Sequence, residues 1–168
     1  MKNNLLILLI ILLGVVVSGC QTTTTYYQGA KADGEGVVNL SARGTEPRHW
    51  QDLYIMVDYT LNQNGEQLEI EGALSFSDNP KALYTRVWDL KLKLFLLDQN
   101  MRVVSYRDIA RTLSNSLDDK TKFTRTLQLR KDVVSYTFGY EGSFVDDDPE
   151  SPSTDHVWKL PKRQKGHR

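Results

Sequence analysis

The sequence predicts a mainly β protein, an antiparallel sandwich of about six to seven strands behind an N-terminal signal helix. Three observations predict it. Apolar and polar side chains alternate on every second position through much of Trp50 to Phe144. Polar turns recur roughly every dozen residues, and no segment outside the leader keeps a helical period over about three turns. A sheet with one wet face needs another layer on its dry one, and two sheets packed face to face satisfy both.

The leader comes first. Met1-Lys2-Asn3-Asn4 carries one positive side chain, Leu5 to Val17 is apolar except for Gly14, and Ser18, Gly19 and Cys20 follow. Charge, apolar run and small residues in that order are the layout of a secretory signal. The run is shorter than the about 20 residues a spanning helix needs. Val17-Ser18-Gly19-Cys20 resembles the lipobox of bacterial lipoproteins: an aliphatic residue, two small ones, then cysteine. The resemblance implies that residues 1–19 are cleaved and that the Cys20 thiol takes a diacylglycerol. It also implies acylation of the new amino terminus, and multiple acyl chains suffice for stable anchoring. Cleavage elsewhere and retention as an uncleaved anchor are the competing readings. Cys20 is the single cysteine of the chain, so the remainder has no disulfide and no thiolate metal cluster. In such lipoproteins an aspartate after the cysteine favours the inner membrane. Gln21 stands there, which implies the outer membrane and a domain facing the periplasm.

Residues 20–49 read as the lipidated cysteine and a tether. Gln21 is followed by four threonines, glycines punctuate the rest, and Val37 to Leu40 offers one short strand. Little apolar surface is there to bury.

Residues 50–145 read as the sandwich. Leu53, Ile55, Val57, Tyr59 and Leu61 form the first strand, Asn64-Gly65 a type I′ turn, and Leu68, Ile70, Leu74 and Phe76 the return. Asp78-Asn79-Pro80 breaks the pattern, and residues 81–85 are expected as loop or turn. Trp88, Leu90, Leu92, Leu94 and Leu96 then alternate with Asp89, Lys91 and Lys93 on a wet face. After Asp98-Gln99-Asn100 the chain returns over Arg102 to Ile109. Residues 112–121 read as a polar connection. Phe123, Leu127 and Leu129 mark a fifth strand, with Arg125 on their side as a snorkelling edge residue or a paired interior charge. Val134, Tyr136, Phe138, Tyr140 and Phe144 mark a sixth. Residues 146–168 read as a tail, within which His156 to Pro161 is either one more strand or a docking peptide. Lys162, Arg163, Lys165 and Arg168 make a basic finish.

A second resemblance rests on Gly72 to Ser77, the strand end Leu94 to Asn100, Arg102-Val103-Val104 and Phe123 to Leu129. This order is similar to FxLYD-type immunoglobulin-like modules over residues 70–144. Leu97 stands where those modules have tyrosine, and the turn has no glycine. The resemblance implies an immunoglobulin-like β-sandwich that binds or scaffolds, with no catalytic residues to transfer.

Charge excludes one partner class. Lys2 leaves with the leader, so 20 basic face 21 acidic residues in the mature 149, whereas a nucleic-acid partner needs a concentrated positive surface. No motif names a reaction. His49, His156 and His167 are the only histidines, and neither a serine–base pair nor a Gly-x-Ser-x-Gly elbow is apparent. His49 with Asp52 is the nearest approach to a catalytic pair. Asp146, Asp147, Asp148 and Glu150 lack the spacing of a calcium loop. Glu69 and Glu71, facing Asp58 and Thr60, read as a charged wet face. No cofactor is expected, and the chain is expected not to be an enzyme. Trp50, Trp88 and Trp158 are candidate ligand-binding aromatics, with core filling as the alternative. The leading expectation is a non-catalytic lipoprotein that binds or assembles part of the cell envelope. A carbohydrate- or peptidoglycan-binding module is the alternative. The partners are accordingly the membrane, through Cys20, and another envelope protein or a glycan.

Overall fold

The computed structural model describes residues 26–40 and 46–162. The leader, Cys20 and the basic residues Arg163, Lys165 and Arg168 lie outside the described residues. Among those described, nine strands and one short helix occur in the order β1 (Val38–Asn39), β2 (Arg48–Gln51), β3 (Ile55–Asn64), β4 (Gln67–Phe76), α1 (Asp78–Leu83), β5 (Arg86–Leu97), β6 (Val103–Ser116), β7 (Thr121–Gln128), β8 (Ser135–Asp146) and β9 (Ser153–Lys159). No described helix is long and apolar enough to cross a membrane.

The strands form two antiparallel sheets. One runs β2-β3-β4-β7. The other runs β1-β8-β5-β6, with β9 sharing the β8 edge. There β1 occupies Ser135 and Tyr136, and β9 takes Tyr140 to Asp146. One apolar core lies between the sheets, with Ile55, Val57, Leu68, Ile70 and Leu74 on one side and Leu90, Leu92, Leu94, Phe138 and Phe144 on the other. The expected β-sandwich is therefore present.

The first hairpin follows the sequence pattern closely. Asn64 pairs with Gln67, so Gly65 and Glu66 make the turn rather than Asn64 and Gly65. Only Gly65 has positive φ there, +59°. That fits the primed turn with glycine first rather than type I′. Leu53 departs from the expected alternation: it precedes β3 and is exposed. Val134 likewise precedes β8 and faces solvent. Residues 78–83 are helical rather than loop, with Pro80 in the first turn, where its missing N–H costs nothing. The expected polar connection after Ile109 is instead strand as far as Ser116. Arg125, on edge strand β7, is exposed and donates to the Thr124 carbonyl.

A β-bulge corrects the reading of β5. Val87 and Leu90 are three apart, yet both point into the core. Pairing with β8 slips by one between Val87 and Asp89, and the extra residue, Trp88, is turned out to solvent at 54% exposure.

The second face of β5 is not simply wet. Phe95 and Leu97 are buried there against Tyr27, Ala30, Ala32 and Val103. Residues 26–37, expected as tether, instead form a strap over the outside of the five-stranded sheet, and the short strand expected within Val37 to Leu40 is β1. Tyr27 meets Phe95 and Tyr106 edge-on, with centroids 5.3 and 5.0 Å apart. Backbone bonds hold the strap on both flanks. Gly29 N–H donates to Val103 O (2.8 Å) and Ala32 N–H to Met101 O (2.9 Å), while Lys31 and Lys162 exchange a reciprocal pair at 3.0 Å. Within the expected tail, residues 153–159 form β9, so the strand alternative for His156 to Pro161 holds and begins three residues earlier; β9 belongs to the sheet and buries Val157.

Candidate functional site

The strap, β9 and the middle of the five-stranded sheet enclose a surface groove of about 470 Å³. Strand register explains its floor. Trp158, Glu141 and Lys91 lie in one row across β9, β8 and β5, and His156, Ser143 and Asp89 lie in the next. Val157 points inward, so its neighbours on β9 must point outward. Tyr26, Tyr27 and Leu160 complete the lining. Two of the rings stand open to solvent, Trp158 at 69% and Tyr26 at 59% exposure. Exposed rings beside fixed polar groups can stack on a ligand and orient it.

The charges in and beside the groove are mostly committed. Arg111 donates two bonds to the Asp89 carboxylate, at 2.9 and 3.1 Å. The hydrogen-bonded guanidinium holds the Asp89 pKa below the ordinary carboxylate value. Lys93, expected on the wet face, is buried with its side chain only 6% exposed. It reaches Asp108 at 2.8 Å and Glu141 at 3.1 Å. Burial pulls the Lys93 pKa down, but the two carboxylates outweigh that and hold it above the ordinary lysine value.

Ser143 Oγ and His156 Nδ1 share a hydrogen bond of 2.7 Å on the groove floor. The expectation that no serine has a base within reach is corrected here. Ser143 read as strand edge and His156 as tail, and only the register of β8 against β9 joins them. A nucleophile–base pair also needs a group that orients the base. Among the described residues, no carboxylate hydrogen-bonds to His156.

The three candidate tryptophans separate. Trp158 lines the groove. Trp88 lies outside it, with the Arg86 guanidinium 5.0 Å from its ring, and Arg86 bonds to Asp147 of the acidic run. Trp50 is 5% exposed and packs on Phe138. It is a core residue, which corrects its place among the ligand-binding aromatics.

A second depression of about 630 Å³ lies on the four-stranded sheet around Arg48, His49, Asp58 and Glu71. His49 lies in β2 and pairs with Asp58 at 2.7 Å, not with Asp52. The hydrogen bond to Asp58 raises its pKa. Asp52 instead accepts from the Tyr54 and Ile55 amides. The one aromatic of this depression, Tyr59, is buried. Among the described residues, no three His, Cys, Asp or Glu side chains gather as a metal site. Compared with protein-family models, curated proteins and solved structures, the chain matches none.

Proposed function

We propose that this chain is a lipoprotein held by lipid on Cys20 to the outer membrane, facing the periplasm, and that its domain binds an envelope ligand without transforming it. The leader and the Val17-Ser18-Gly19-Cys20 motif support the anchor. The FxLYD-like order of residues 70–144 favours a binding module.

One observation carries the binding role and favours a saccharide as the ligand. Exposed Trp158 and Tyr26 line the same groove as Glu141, Ser143, Lys91 and Asp89. A sugar presents apolar C–H faces that stack on rings and hydroxyls that bond to such polar groups. The isolated Ser143–His156 pair serves this reading as a hydrogen-bonding floor.

Two experiments test the proposal. Full-length protein should incorporate labelled palmitate and stay with membranes, and Cys20→Ala should lose both. Membrane retention without label in the wild type would overturn the lipid anchor. Full-length protein in detergent should sediment with peptidoglycan or glycan resin, and Trp158→Ala should weaken this while Trp88→Ala does not. Equal retention of the Trp158 variant would overturn the groove as the binding site.

A further inference from the structure

Lys91 stands apart from the other charges of the groove. Asp89 is occupied by both arms of Arg111, and Glu141 bonds to the buried Lys93. Lys91 lies between Glu141 and Arg111 in register. Among the described residues it has no carboxylate within ion-pair distance; its influence on Asp89 acts through space. The groove therefore holds one carboxylate paired with Arg111, one that shares Lys93 with Asp108, and one ammonium with no ion-pair partner among the described residues, beside the Ser143–His156 pair and the exposed Trp158 ring.

We propose that the groove selects an acidic saccharide, a sugar ring bearing a carboxylate or phosphate, and that Lys91 reads the acid. The inference rests on the groove being a saccharide site. The ring stacks on Trp158, and hydroxyls donate to Asp89, which Arg111 pairs, and to Glu141, which shares Lys93 with Asp108. The acid group lies against the Lys91 ammonium, with Ser143 or His156 beside it as a hydrogen-bonding partner. A neutral sugar would leave that ammonium uncompensated by the ligand. A cationic sugar would be repelled by it.

The test uses the full chain in detergent and calorimetric titration with three probes. Chitobiose is neutral. The disaccharide of N-acetylglucosamine and N-acetylmuramic acid adds a lactyl carboxylate. A diglucosamine phosphate glycolipid in the same micelles presents the acid from a membrane. A charge-assisted hydrogen bond should favour the acidic probes by roughly tenfold or more. Lys91→Gln should erase that preference, Lys91→Arg should retain it, and Trp158→Ala should weaken binding of all three. Tighter binding of either acidic probe supports the proposal, and which one binds identifies a free or a lipid-borne source. Equal affinity for neutral and acidic probes would overturn acid selection while leaving a saccharide groove. A preference that survives Lys91→Gln would overturn the role of Lys91. Binding of none of the probes would overturn both readings.

Discussion

Tyr140 of β8 donates its hydroxyl across the sandwich to the Asp52 carboxylate, 2.7 Å away. The same carboxylate accepts the Tyr54 and Ile55 amides through its other oxygen, so one side chain fixes the entry to β3 and ties it to the opposite sheet. Tyr140→Phe keeps the ring and removes one bond to a charged acceptor. It should destabilise the domain by about 1.5–3 kcal/mol, read as a lower denaturation midpoint with an unchanged m-value.

Alkaline pH should unfold the protein through its buried phenols. Burial first, then the bond to Asp52, raises the Tyr140 pKa. Burial and the bond to Tyr136 raise that of Tyr59. Acceptance by Asp155 pushes Tyr84 up to about 12. A raised folded-state value means that the folded chain keeps its proton longer than the unfolded chain does. The stabilisation is complete below the unfolded tyrosine pKa of about 10 and is lost as pH rises from there toward the folded values. Denaturation midpoints should be flat between about pH 8 and 9.5 in this respect and fall steeply above 10. Tyr140→Phe and Tyr59→Phe should each make that fall shallower.

Lys93 should behave as one member of a three-residue unit. It is buried between two half-exposed carboxylates. Asp108→Asn or Glu141→Gln alone leaves it one anion and should cost about 0.5–1.5 kcal/mol. The double variant strands the ammonium and should cost more than the two single losses together. Additive losses in equilibrium denaturation would argue against the coupling.

Tyr27→Ala should release the strap. The ring buries an edge-on contact with Phe95 and Tyr106, and truncating a large buried aromatic costs about 3–5 kcal/mol. Limited proteolysis should then cut within residues 26–40 of the variant faster than in the wild type. Cleavage first within β3 or β8 would mean that the sandwich depends on the strap.

Thr112 offers a stabilising change. Its hydroxyl is buried and has no hydrogen-bond partner among the described residues, on a strand position facing Leu90. Thr112→Val keeps the shape and removes the unpaired group. It should raise stability by about 1 kcal/mol or more, measured as a higher Tm.

The sandwich was readable where alternation was strict. Ile55 to Leu61 and Leu68 to Phe76 declared the first hairpin because the inward side chains, Gly72 apart, are large and the outward ones, Met56 apart, are polar or small. Trp88 misled because a bulge changes phase without changing composition. The strap hid because Tyr27, Ala30 and Ala32 are few and keep no regular period, so their burial depends on Phe95 and Val103, far along the chain. Strand β9 hid for a similar reason: only Val157 of its seven residues is buried.

The groove was harder still. Lys91 and Lys93 are indistinguishable in sequence, and only packing against Asp108 and Glu141 buries the second, while the first has no ion pair among the described residues. Ser143 and His156 become neighbours through the β8–β9 register. The signal that pointed this way was the apolar–aromatic pair Val157-Trp158 within a charged ending, which admitted a strand.

Tyr26 lines the groove and follows Cys20 by six residues. A chain of that length reaches at most about 20 Å even when drawn straight. Were Cys20 lipidated as proposed, this reach would keep Tyr26 within about 20 Å of the bilayer surface however the domain swings.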